Sequence, residues 1–141
     1  MQKEEKKVER IVPVPNALTA PYWQAAREHR FVLPRCCACA RFHFYPRSLC
    51  PHCRSPELAW QEASGAGEVY SYTVVHRAPS PTFAQAAPYV VAIIALREGP
   101  HMMTRLAGVE PAAARIGLPV KVDFDDIDET HTLPVFRAEA P

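Results

Sequence analysis

All five cysteines of this 141-residue chain fall inside one stretch, RCCACARFHFYPRSLCPHC, from Arg35 to Cys53. Cys36 and Cys39 are spaced C-x2-C, and Cys50 and Cys53 repeat that spacing after ten intervening residues. Two such knuckles can put four thiolates around one tetrahedral zinc ion, each sulfur about 2.3 Å from the metal. Iron and a redox disulfide are the other chemistries such a pattern carries. Four cysteines close the coordination shell, whereas a catalytic zinc keeps one position open. The ion is therefore expected to be structural. Its task is to fold a segment too small for a core of its own, and structural zinc contributes on the order of 10 kcal/mol. Cys37 is left over, because pairing it with Cys39 leaves one residue between them. His43 and His52 lie close by and are not needed as ligands.

The length suits one compact domain, or a small domain plus an appendage. Hydrophobic residues make up 48% and charged residues 22%, a soluble globular balance. Proline is abundant at 15 residues, against 5 glycines, which argues for rigid irregular connections and against a helical bundle. The charged N-terminus MQKEEKKVER is followed by no secretory signal. The longest apolar run, Ala86 to Leu96, is shorter than the roughly 20 residues of a spanning helix. These features predict a cytoplasmic protein without membrane contact, where clustered cysteines more often bind metal than form disulfides. Net charge is +1, but unevenly spread. Arg30, Arg35, Arg41, Arg47 and Arg54 fall in a stretch without acids, and Asp123, Asp125, Asp126, Asp128 and Glu129 in one without bases.

Along the chain, residues 1–18 read as a flexible tail, 19–62 as a helix plus zinc ribbon, and 63–141 as a barrel. Thr19 or Ala20 caps the short helix PYWQAAREHR, with Pro21 in its first turn. That helix is too short to stand alone, so Tyr22, Trp23 and Phe31 must pack on the barrel or on a partner. LAWQEA is a short strand and SGAG a turn. Five strands follow: EVYSYTVVHR, YVVAIIAL (apolar on both faces, hence buried on both sides), HMMTRLA, PVKVDFDD and HTLPVFRA. Pro134 pushes the last toward an edge or bulge. EPAAARIG adds one or two helical turns between the third and fourth, ended by Gly117. The expected fold is mainly β: an N-terminal helix and zinc ribbon, then a five-stranded OB-type barrel. An SH3-like barrel is the competing arrangement.

The segments FVLPRCCACARFHFYPRSLCPHC, SGAGEVYSYTVVHR, APYVVAIIAL and RIGLPVKVDF together resemble the acyl-CoA-associated family with an N-terminal rubredoxin-like zinc ribbon and a C-terminal OB-fold. The resemblance spans roughly residues 18–138. It implies a small, non-catalytic subunit that forms a hetero-oligomer with a thiolase-like enzyme: a thiolase, an acetyltransferase, or a retro-aldolase acting on CoA thioesters. One departure lies in the knuckles, where the family often has glycine after the second cysteine. Here Ala40 and Arg54 stand there, which puts strain on the turns while leaving the ligands intact.

The residues admit three functions. As an accessory subunit, the chain would meet CoA phosphates or an acidic partner face through ribbon arginines such as Arg41 and Arg47, since a guanidinium suits phosphate geometry. The loop after the first barrel strand, RAPSPTFAQAAP, is long and apolar, with His76 and Arg77 at its mouth. With Phe83 it suits an acyl chain or a partner's surface. The alternative is a single-stranded nucleic-acid binder, a role both modules fill elsewhere. The acidic loop DDIDETHT opposes it, so nucleic acid is an unlikely partner. An enzyme in its own right finds no support: no G-x-S-x-G, H-E-x-x-H or G-x-G-x-x-G occurs. Cys37 with His43 is a poor nucleophile pair, the acids Asp123, Asp125 and Asp126 read as solvated turn residues, and no catalytic residue is assigned.

Overall fold

The computed structural model describes residues 11–84 and 86–139. Most of the expected tail, residues 1–10, lies outside them. The first element is helix α1, Ala20–Arg27. Its start is prepared one turn earlier by a reciprocal pair. The Asn16 amide donates to Thr19 Oγ1 at 3.0 Å, and the Thr19 amide to Asn16 Oδ1 at 2.9 Å. Pro21 then sits in the first turn, where a missing N–H costs nothing. Tyr22, Ala25 and Ala26 are buried, the spacing of one helical face.

The helix ends on His29, at φ 57°. The Arg30 amide reaches back to the Ala25 carbonyl (2.8 Å) and the His29 amide to Ala26 (2.9 Å), a Schellman stop made without glycine. The His29 ring stacks on Phe124 (centroids 5.1 Å apart, planes within 8°), and its Nε2 lies 3.0 Å from Asp126. Arg27 donates to the Glu129 carbonyl at 3.0 Å. The helix C-terminus is thus fastened to the acidic turn of the barrel.

Strands β1 (Val32–Cys36) and β2 (Leu58–Glu62) pair antiparallel, and the cysteine segment loops between them. The barrel follows: β3 (Ala66–Val75), β4 (Tyr89–Leu96), β5 (His101–Ala107), β6 (Pro119–Asp126) and β7 (Thr132–Ala138), with a short helix α2 (Pro81–Ala84) between β3 and β4. It closes in the order β3-β4-β5-β7-β6, the Greek-key order of an OB barrel. β5 and β7 run parallel; the other barrel pairs are antiparallel. Two glycines permit the closure. A Cβ on Gly65, at φ 73°, would lie 2.3 Å from Val122, and one on Gly67 would lie 2.7 Å from the Ala95 carbonyl. The SGAG turn is therefore a close crossing of β3 over its two neighbours.

β4 alternates buried and half-buried residues, so one face fills the barrel and the other is only partly covered, rather than both being fully buried. Pro134 lies opposite Phe124 on β6, before β7 meets β5 at Phe136, so it breaks no ladder bond to β5. The β5–β6 connection forms a single 3-10 turn, Pro111–Ala113, because Pro111 starts it and Ala114 is already extended.

One hydrophobic cluster joins the parts. Tyr22 and Phe31 from around the helix and Leu33 from β1 pack with Val69, Val90, Ile94, Val120 and Phe136 of the barrel. Phe31 meets Phe136 edge-on at 6.0 Å. Of the two placements open for the helix aromatics, the barrel is the one adopted.

The clamp at His29 titrates on its acidic side. The Thr132 hydroxyl (2.6 Å) and then His29 hold the Asp126 carboxyl below its ordinary value. A lowered folded-state pKa gives stability that is complete above the unfolded carboxylate value near 4 and lost as pH falls below it. Asp126→Asn is therefore expected to lower the thermal midpoint at pH 7, with the gap to wild type closing toward pH 3. A gap independent of pH in parallel melts would refute this.

Candidate metal centre and adjoining surfaces

The two knuckles are built alike. In the first, the Ala40 amide donates to the Cys36 carbonyl (2.9 Å), and the Cys39 amide points at Cys36 Sγ (3.4 Å). In the second, the Arg54 amide donates to the Cys50 carbonyl (2.8 Å), and the His52 amide points at Cys50 Sγ (3.4 Å). Each turn needs a left-handed residue after its second cysteine: φ is 64° at Ala40 and 67° at Arg54. These are the two positions where the sequence lacks the expected glycine.

The sulfurs of Cys36, Cys39, Cys50 and Cys53 all lie within 4.8 Å of one another. Cys36 and Cys53 are 3.5 Å apart, Cys39 and Cys50 3.7 Å. Thiolates on a tetrahedral zinc lie about 3.8 Å from each other, whereas a disulfide needs about 2.05 Å. The donor set, number and spacing fit zinc and exclude a disulfide in this arrangement. Turn amides, that of Cys39 first, hold the Cys36 thiol down to about 7. At Cys53 the Ser55 amide pulls downward, but the hydrogen bond with Cys36 and burial outweigh it and push the thiol up to about 12. Sulfurs this close cannot all ionise until a cation joins them. Cys37 is exposed and stands outside the group.

Arg41 and Arg47, singled out in the sequence, come together on one cleft of about 530 Å³ between the knuckles and the β4–β5 turn. His43, Phe42, His52 and Glu98 also line it. His52 Nε2 lies 3.3 Å from the Phe42 carbonyl, and Glu98 accepts from the Ser64 hydroxyl at 3.0 Å. His43 is only 3% exposed, and neither ring nitrogen has a hydrogen-bond partner. Burial, with the nearby His52 and Arg47, lowers its pKa and favours the neutral ring. The sequence marks this histidine only by its nearness to the cysteines, and its burial between Phe42 and Phe44 is not legible there.

The other predicted contacts do not join that cleft. His76 and Arg77 are exposed beyond the end of β3. Phe83, on α2, lies 6.2 Å from Tyr89 and remains 37% exposed. Another hollow, about 260 Å³, runs between α1, the cysteine segment and the barrel, lined by Tyr22, Trp23, Tyr45, Met103 and Leu133 among others. The acids of the β6–β7 region are engaged. Asp123 accepts from Arg137, Asp126 from Thr132, and Asp128 from Thr130, whose amide leads the bonds that bring its carboxyl to about 2. No helix among the described residues is long and apolar enough to cross a membrane.

Comparison with known proteins follows the same division. A family profile described as the ChsH2 rubredoxin-like zinc ribbon domain matches residues 23–59, and one described as the ChsH2 C-terminal OB-fold domain matches residues 60–125. A "DUF35 domain-containing scaffold protein" of Methanocaldococcus jannaschii is 38% identical, over 76% of this chain and 77% of its own length. The chain belongs to the ChsH2/DUF35 family of zinc ribbon–OB-fold proteins. A Thermomonospora curvata protein named "probable enoyl-CoA hydratase alpha subunit" is 43% identical over 99% of this chain, which spans 44% of that relative's length. Of solved structures, the "Ltp2-ChsH2(DUF35) aldolase" superposes with a TM-score of 0.80 at 43% identity, covering 89% of this chain and 98% of the matched one. A DUF35-family protein of unknown function from Sulfolobus solfataricus, 16% identical with a TM-score of 0.61, shares the fold.

Within this family member, the left-handed turn residues give a direct test. An L-residue there costs about 1–2 kcal/mol, which glycine avoids while losing some unfolded-state entropy. Ala40→Gly is therefore expected to stabilise the metal-loaded protein by about 0.5–1 kcal/mol in denaturant titration, and to slow zinc loss to a chelator. A destabilised Ala40→Gly would contradict the strain assigned to this turn.

Proposed function

We propose that this chain is a non-catalytic accessory subunit of an enzyme acting on acyl-CoA thioesters. The observation that carries the reading is the match, at 43% identity and over 98% of its length, to the chain of a solved structure named as an aldolase. The named relatives differ in chemistry. One is called an enoyl-CoA hydratase alpha subunit, one a subunit of a 3-oxo-4,17-pregnadiene-20-carboxyl-CoA hydratase, and several are scaffold proteins. A fold shared across different reactions supports a role beside the reacting centre, with the chemistry supplied by the partner. A thiolase-type or aldolase-type enzyme is the partner we infer, in a hetero-oligomer.

In this reading Cys36, Cys39, Cys50 and Cys53 hold one zinc ion. With four thiolates the shell is full, so the ion orders the ribbon and offers no position for substrate or activated water. The helix–ribbon segment, residues 19–62, and the barrel, residues 63–141, are separate modules by sequence that share one core. Arg41 and Arg47 meet the phosphates of an acyl-CoA. His76, Arg77 and Phe83 meet the acyl group or the partner's surface from the β3–β4 loop. The side chains of Arg41 and Arg47 have no hydrogen-bond or ion-pair partner among the described residues, which leaves both guanidinium forks free to bind an anion bidentately.

Replacing Cys50 with Ala tests the structural role. It removes one ligand and leaves three crowded thiols. The variant is expected to lose zinc and fail to capture the partner enzyme, while circular dichroism still reports the barrel's sheet. Undiminished assembly with a CoA-thioester enzyme, zinc absent, would overturn the role assigned to the ion.

A further inference from the structure

The hollow between α1, the cysteine segment and the barrel is built differently from the arginine cleft. Its volume is about 260 Å³, and no charged side chain lines it. Its walls include Trp23 from α1, Phe44 and Tyr45 from the cysteine segment, and Met102 and Met103 from β5. Tyr22 stands among them, its ring 5.0 Å from Trp23 edge-on and 5.8 Å from Phe44. Tyr22 is only 5% exposed, and its hydroxyl has no hydrogen-bond partner among the described residues. Yet that oxygen is not sealed in. Among the described residues, the enclosed side-chain atoms without partners belong to His43 and Ser80. What little of Tyr22 remains open therefore opens on the hollow it lines. Burial, and then the nearby Tyr45, push the pKa of its phenol up, so the group stays protonated and donates. Methionine side chains adapt their shape to what they touch, and aromatic walls favour rings packed edge-on or offset. Sites for organic ligands share this make-up, mostly apolar with a few polar groups, and run from roughly 300 Å³ upward. This hollow lies at the lower end of that range and suits a compact molecule.

We propose that this hollow binds a small uncharged ring compound carrying one carbonyl oxygen, which accepts a hydrogen bond from Tyr22. The lining excludes ionised ligands, because a charge brought there would lose its water and find no counterion. It also disfavours a pure hydrocarbon, which would displace water from the phenol and leave that donor without a partner. The walls are preformed. Tyr22 packs in the cluster shared with the barrel, and Arg27 and His29 fasten the end of α1 to the β6–β7 region. Little ordering is left for a ligand to impose. The carbonyl belongs either to a free ketone or to the acyl end of a thioester, and the hollow recognises the chemistry the two share. The site goes beyond the accessory-subunit reading: it uses neither Arg41 and Arg47 nor a partner enzyme.

The test uses the full zinc-loaded chain with carbon-labelled methionine methyls, which puts two NMR reporters, Met102 and Met103, in the wall. Indanone, indane and indane carboxylate are titrated separately. Saturable shifts of both methyls are expected with indanone. Indane, the same rings without the oxygen, should bind about tenfold more weakly, the loss of one hydrogen bond. The carboxylate should give no saturable shift. Tyr22→Phe keeps the ring packing and should erase the tenfold preference for the ketone over indane. Met103→Ala, at an exposed position, should weaken both ligands and leave their ratio unchanged. The N-acetylcysteamine thioester of indane carboxylic acid separates the two sources. Binding at least as tight as the ketone's assigns the hollow to acyl groups, and weaker binding assigns it to free ketones. Absence of saturable shifts with indanone would overturn the site. So would a ketone preference that survives in Tyr22→Phe, or carboxylate binding equal to the ketone's.

Discussion

A hairpin of two five-residue strands cannot hold itself together in water, and the ribbon of this protein is such a hairpin. Everything between Cys36 and Leu58 is irregular apart from one isolated bridge, Arg35 to Phe42. The convergence of four sulfurs supplies what the missing core does not. A zinc ion worth about 10 kcal/mol outweighs what two left-handed residues cost, about 1–2 kcal/mol each. That balance explains how Ala40 and Arg54 persist where glycine would be easier. The turns are held by their metal ligands more firmly than their backbone preferences oppose them.

The ribbon also leans on the barrel. Leu33 is fully buried in the common cluster, and Phe31 reaches Phe136, itself fully buried in β7. Burying such side chains stabilises by about 1.5–3 kcal/mol each. The helix adds Tyr22 to the same cluster, and its C-terminus is fixed by Arg27 and His29 to the β6–β7 region. A rigid seam of this kind fixes the position of the knuckles relative to the β4–β5 turn. The cleft between them is therefore a feature of the joined molecule and of neither half alone.

Much of the fold was legible because its signals are local. C-x2-C spacing fixes which sulfurs meet, and alternation in PVKVDFDD puts Val120, Val122 and Phe124 on one face. β4 shows the limit of that reasoning. YVVAIIAL has no polar residue to mark its outer face, so the half-burial of Tyr89, Val91 and Ile93 could not be read from it. The Schellman stop at His29 was hidden for a related reason: no glycine marks it, and the ring's contacts with Asp126 and Phe124, nearly a hundred residues away, exist only in the folded chain.

The site was legible in part, and the division is instructive. Arg41 and Arg47 stood out by charge, and the fold brought them to one cleft. His76, Arg77 and Phe83 stood out by loop position, and the fold kept them away from it. His43 stood out only as a spare ligand or a poor base beside Cys37, and neither reading pointed to what the fold shows: two buried nitrogens with nothing to bond. Sequence patterns report what residues offer, such as charge, thiolate or apolar surface. They do not report what a folded neighbourhood fails to provide. Unmet hydrogen-bonding capacity exists only once the chain has closed around it, which is why no pattern of residues announces it.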